Sequence, residues 1–126
     1  MMEMDQLREI ATKKVNPQKL SKDCYIGSVA CVLMTDKGNM YTGVCIDAPS
    51  GIGFCAEHAA IASMVNNDET RIVKIVAVGK NGKIYPPCGR CREFIYQINA
   101  KNIDAEILVE ENKIVKLAEI LPSRWN

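Results

Sequence analysis

The stretch Ile72-Val73-Lys74-Ile75-Val76-Ala77-Val78 decides the fold, because every residue but Lys74 is apolar and most are β-branched. So short a run suits a strand better than a helix, and its lack of polar alternation means that neither face meets water. It predicts a strand inside a sheet with helices above and below. Upstream, Gly27 to Met34 reads as another buried strand, turned at Asp36-Lys37-Gly38-Asn39 into a partner over Met40 to Ile46. A loop, Asp47 to Gly53, then delivers the chain to a helix over residues 55–66. Downstream, a loop from Gly79 to Pro87 leads to a helix over 88–99. A strand over 105–109, a turn at 111–113 and a short helix near 115–120 follow. Met4, Leu7, Ile10 and Ala11 have the spacing of a helix with one buried face, from Glu3 to Val15, which Asn16-Pro17 ends. Strands alternating with helices indicate an α/β layered architecture.

Size and composition agree. A chain of 126 residues suits one domain, and 48% hydrophobic with 25% charged residues is an ordinary globular balance. The net charge of +1 comes with no run of like charges long enough to track a phosphate backbone, which argues against a nucleic-acid polymer as partner. Met1-Met2-Glu3-Met4-Asp5 does not read as a signal peptide, and no apolar run is long enough to span a bilayer, so a cytoplasmic protein is expected. Six cysteines in a reducing compartment point to buried small hydrophobes, metal ligands or catalysis rather than disulfides.

Three of the thiols stand apart. Cys88 and Cys91, in Pro86-Pro87-Cys88-Gly89-Arg90-Cys91-Arg92-Glu93, are spaced to face one side of a first helical turn, and Cys55 opens the other helix in Phe54-Cys55-Ala56-Glu57-His58-Ala59-Ala60. Helix amino ends favour negative charge and so assist thiolate formation and metal binding. Three thiolates leave one corner of a tetrahedral zinc ion open, as catalytic rather than structural sites do. Glu57, two residues past Cys55, is placed to work over that corner as a general base. The cluster's surplus negative charge calls for a cation or hydrogen-bond donor nearby, for which Arg90, Arg92 and His58 are the local candidates.

This pairing of Cys-Ala-Glu with Pro-Cys-Gly-Arg-Cys resembles the cytidine deaminase superfamily, in which a His/Cys-x-Glu is followed by Pro-Cys-x-x-Cys. The similarity continues through Val29-Ala30-Cys31-Val32, Tyr41-Thr42-Gly43-Val44, Ile75 to Gly79 and Leu121-Pro122-Ser123, and looks like the small tetrameric branch of cytidine and blasticidin S deaminases. The resemblance implies a three-layer α/β/α sandwich with a mixed, mostly five-stranded sheet, and one zinc per subunit held by Cys55, Cys88 and Cys91. It also implies Glu57 as the proton shuttle and a homotetramer that deaminates a small cytosine nucleoside. Ala56, Cys45, Asp47 and Trp125 fall where substrate contacts are expected. Two departures bear on the substrate and the charge. Cys45-Ile46-Asp47 stands where such enzymes usually have Asn-x-Glu for the ribose, and His58 stands where they usually have an arginine that offsets the thiolates. Arg90 is the substitute cation, since Pro87 to Arg92 closely matches blasticidin S deaminases.

Blander readings compete. A Cys-x-x-Cys alone suits a noncatalytic zinc module, but such a module has no use for Glu57; a polynucleotide-editing deaminase needs a basic groove that a charge of +1 does not offer. Cys24, Cys31 and Cys45 read as buried small hydrophobes, Cys45 being also a candidate for the pocket lining, and Phe54 reads as core.

Overall fold

The computed structural model describes residues 2–126. Its elements are α1 (Met4–Lys14), β1 (Gln18–Lys19), β2 (Tyr25–Thr35), β3 (Met40–Asp47), α2 (Ala56–Asn66), β4 (Ile72–Val78), α3 (Gly89–Ile98), β5 (Glu106–Glu110), β6 (Lys113–Lys116) and α4 (Leu117–Ile120). They form the expected α/β/α sandwich on a mixed sheet.

The sheet has six strands rather than five. β2 is its hub, antiparallel to β1, β3 and β4, while β4 and β5 run parallel and β6 returns antiparallel to β5. Two of the strands correct the expectation. Residues 113–116, expected as a turn running into a helix, pair with β5, and Gln18–Lys19 pair with Ile26 and Tyr25.

Alternation along β2 sorts the layers. Val32 and Met34 face α1, where they meet Leu7 and Ala11 together with Val76 and Val78 of β4. Cys31 and Leu33 face the other way, into a larger core with Ala60, Ile61 and Met64 of α2, Ile95 of α3 and Leu117 of α4. Leu7, Leu33, Ile61, Ile72 and Ile95 are fully buried, and each contributes about 1.5–3 kcal/mol of hydrophobic stabilisation. The nearly all-apolar composition of 72–78 is thus explained: β4 lies between both layers, most of its residues buried.

Two local features set the position of α2. Gly43 of β3 lets the helix lie directly on the strand, since a Cβ there would come within 2.4 Å of the Ala60 nitrogen and 2.7 Å of the Ala56 carbonyl. At the end of β3, Ile46 and Phe54 exchange two backbone hydrogen bonds of 3.0 and 2.9 Å, closing the loop 47–53 at its mouth immediately before Cys55. β3 and β4 point the same way, so the loops that leave their carboxyl ends, and the helices that follow, start on one edge of the sheet. Ligands of open α/β sheets bind at such an edge.

Candidate active site

Cys55 and Cys88 are the N-cap residues of α2 and α3 rather than their first helical residues. Each has extended backbone and uses its carbonyl to start the helix, Cys55 accepting from His58 N at 3.1 Å and Cys88 from Arg92 N at 3.0 Å. Their side chains therefore sit beside the unpaired N–H groups of the first turn. Cys91, one turn into α3, is fully buried.

The sulfurs converge. Cys55 Sγ lies 3.9 Å from Cys88 Sγ, and Cys88 Sγ lies 3.5 Å from Cys91 Sγ. An imidazole stands beside them: His58 Nδ1 is 3.6 Å from Cys91 Sγ, and the metal-binding atoms of Cys55, His58 and Cys91 all lie within 4.8 Å of one another. The imidazole is held flat on Phe94, with ring centroids 4.7 Å apart and planes 9° from parallel. Soft sulfur donors with one imidazole suit zinc by ligand type and by spacing.

The thiols differ in their readiness to ionise. Burial pushes Cys55 up, and pushes Cys91 far up. Burial also opposes the Cys88 thiolate, but the Cys91 N–H, the neighbouring thiols and the Arg90 N–H outweigh it and hold its pKa below the ordinary thiol value. This is the electrostatic benefit of a helix start. Burial, and secondarily the Arg90 charge, lower the His58 pKa, which favours the neutral ring. In that form His58 can hydrogen-bond the Cys91 sulfur without adding charge.

A cleft of about 560 Å³ opens at the cluster, lined by Cys55, Ala56, Glu57, Cys88 and Arg90 together with Cys45 and Asp47. Glu57 is only 6% exposed, and its burial raises the carboxyl pKa, a condition that helps a side chain both accept and return a proton. Cys45 Sγ lies 3.2 Å from Ser28 Oγ and 4.0 Å from Asp47 Oδ2. Trp125 does not line the cleft of its own chain; it is 80% exposed, and its backbone nitrogen donates to Glu93. Arg92 is engaged elsewhere, donating to the Pro87 and Ile120 carbonyls.

Ser28 and Tyr85 also line the cleft, and the sequence reading did not single them out. Tyr85 has a detectable signal in Gly79: a Cβ there would meet Tyr85 Cε2 at 2.5 Å, so the glycine makes room for the ring. Ser28 carries no such signal.

Comparison with known proteins agrees with this geometry. The cytidine and deoxycytidylate deaminase zinc-binding region matches residues 4–106. A blasticidin-S deaminase from Bacillus cereus is 30% identical over 95% of this chain and 90% of its own length. A cytidine deaminase from Mycobacterium tuberculosis is 26% identical over 78% of this chain and 72% of its own. Among solved structures, cytidine deaminase from Mycobacterium leprae superposes with a TM-score of 0.81 at 25% identity, covering 98% of this chain and all of that one. The Mycobacterium tuberculosis enzyme superposes at 0.82 and 22% identity, over 100% and 99% of the two chains, a likeness of fold. The chain belongs to the cytidine and deoxycytidylate deaminase family and is a zinc-dependent hydrolytic deaminase with one zinc per subunit.

Proposed function

We propose that the substrate is a free cytosine nucleoside, cytidine or deoxycytidine, converted to the uracil nucleoside and ammonia by a single domain spanning residues 1–126. The observation that carries the reading is the buried Glu57 carboxyl in the cleft, beside a cluster of sulfur donors. Cys55, Cys88 and Cys91 would hold the zinc, His58 would brace Cys91, and Arg90 would offset the thiolate charge. Zinc, when bound, supplies Lewis-acid activation of the attacking water. Glu57 takes a proton from that water as its oxygen bonds to ring carbon 4, and delivers it to ring nitrogen 3. The bond from carbon 4 to the exocyclic nitrogen then breaks, with Glu57 passing the proton of the new hydroxyl to the departing amine. The Ala56 backbone and the wall formed by Cys45 and Asp47 orient the nucleoside.

A second reading, deamination of blasticidin S, is supported by the Bacillus cereus relative and by Cys45 and Asp47 standing where the resembling cytidine deaminases have Asn-x-Glu. Ultraviolet absorbance assays of the zinc-loaded protein on cytosine, cytidine, deoxycytidine and blasticidin S decide between them. Turnover of cytidine or deoxycytidine supports the first reading, turnover of blasticidin S alone supports the second, and a blank on all four rejects both. A Glu57→Gln protein that keeps its zinc and loses at least 100-fold in turnover supports the shuttle role; undiminished turnover rejects it.

A homotetramer with composite active sites, located in the cytoplasm, is part of the proposal. The exposed Trp125 is the side chain offered to a neighbouring subunit's cleft. Light scattering in line with size exclusion tests the subunit count. No helix among the described residues is long and apolar enough to cross a membrane.

A further inference from the structure

The cleft continues past the place proposed for the sugar. A second cavity of about 350 Å³ shares Ser28 and Asp47 with it and is otherwise lined by Pro17, Gln18, Lys19, Tyr25 and Ile26. Those residues lie in register. Lys19 of β1 pairs with Tyr25 of β2, and Tyr25 pairs with Asp47 of β3. Directly paired residues on antiparallel strands send their side chains to one face, so a cation, an aromatic ring and a carboxylate form a row across three strands. At about 4.8 Å per strand, the ends of the row are roughly 10 Å apart. Lys19 Nζ sits 5.8 Å from the Tyr25 ring centroid. Neither Lys19 nor Asp47 is in an ion pair among the described residues.

We infer that this row is a binding site for a dipolar arm attached to the sugar of the substrate, an arm with an ammonium group close to the sugar and a carboxylate beyond it. The inference rests on the deaminase reading of the cleft and adds the class of nucleoside. Any substituent leaving the sugar in this direction passes Asp47 first, which attracts an ammonium and repels a phosphate. Farther out it crosses the face that holds Tyr25 and reaches Lys19, which attracts a carboxylate. The two charges of the arm thus meet their complements in order, and a nucleoside monophosphate, with its dianion against Asp47, is disfavoured.

The test uses deoxycytidine in which either the 3′ or the 5′ hydroxyl is replaced by an α-aspartylamido group, which carries its ammonium nearer the sugar and its carboxylate farther out, or by a neutral acetamido group. Dissociation constants are measured by titration calorimetry on the zinc-loaded Glu57→Gln protein, so that no ligand is consumed. At one of the two positions the aspartyl compound is expected to bind at least tenfold tighter than the acetamido compound. Adding Lys19→Ala or Asp47→Asn should each cut that preference at least threefold, with melting curves confirming that the variants are folded. Equal binding of the two compounds at both positions, or a preference that survives both substitutions, overturns the arm site. Deoxycytidine turnover by the unsubstituted protein is followed in parallel. Its absence counts against the proposed function, while the ratio of dissociation constants still decides the arm site.

Discussion

The His58 ring lies 4.7 Å from that of Phe94 and almost parallel to it, while its Nδ1 points at Cys91 Sγ from 3.6 Å. Stacking fixes the plane of the imidazole, and the plane fixes where the nitrogen goes. Phe94→Leu keeps an apolar side chain but loses the stack, which is worth about 0.5–1.5 kcal/mol. Zinc affinity, measured by chelator competition, should fall about threefold to tenfold. With cobalt in place of zinc, the thiolate charge-transfer bands should shift. An unchanged affinity and spectrum would show that the ring needs no brace.

Arg90 is the side chain proposed to offset the thiolates, and it lines the cleft beside Cys88. Its removal would withdraw that charge from a partly buried anionic cluster, a change that costs affinity for the group the cluster surrounds. Arg90→Ala should weaken zinc binding and lower turnover by about tenfold or more each, read from metal content after dialysis and from steady-state rates. A variant retaining both in full rejects the role.

Gly43 has no room for a methyl group. With the Ala60 nitrogen 2.4 Å and the Ala56 carbonyl 2.7 Å from a built Cβ, backbone would have to move. Overpacking of this kind costs about 1–3 kcal/mol. Because the displaced helix starts at Ala56, between Cys55 and Glu57, Gly43→Ala should lower turnover as well as the melting temperature. Loss of stability with normal rates would mean that the strain relaxes away from the helix start.

Asn102 is fully buried and satisfies three backbone groups: it accepts from Ile72 N at 2.8 Å and donates to the Thr70 and Ile95 carbonyls at 2.9 and 3.0 Å. Asn102→Leu orphans all three. At about 1 kcal/mol or more for each buried group left without a partner, a loss of about 3 kcal/mol and a fall of roughly 10 °C in melting temperature are expected. A shift under 2 °C in a thermal melt would refute it.

Glu69 Oε2 accepts from Tyr41 Oη at 2.6 Å and from Asn39 Nδ2 at 2.9 Å. The Tyr41 bond leads the causes that hold the Glu69 pKa below its ordinary value. The folded state therefore binds this proton more weakly than the unfolded chain. The resulting stability is present above the ordinary glutamate pKa and is lost as pH falls through the lower, folded value. Denaturant midpoints measured from pH 6 down to pH 3 should fall more steeply for the native sequence than for Glu69→Gln; parallel curves would contradict the linkage.

What the sequence disclosed follows from the reach of its signals. Residues 72–78 could be placed because their pattern is set by two layers of contact, and the approach of Cys88 to Cys91 because their spacing is set by a helix turn. The short strand at 113–116 was hidden: four residues carry no usable periodicity, and its existence depends on pairing with β5. Asn102 was hidden for another reason, since a buried asparagine serving three backbone groups looks in sequence like any loop residue. The brace on His58 needed Phe94, which comes from the other helix. The Lys19, Tyr25 and Asp47 row needed strand register, which composition does not encode.

The paired bonds between Ile46 and Phe54 separate two things that evolution can then alter independently. Whatever happens to the length or chemistry of residues 47–53 is confined above the staple, and the first cysteine keeps its station. A scaffold wired this way can try new selectivities on one wall of its cavity while the reactive centre stays in tune.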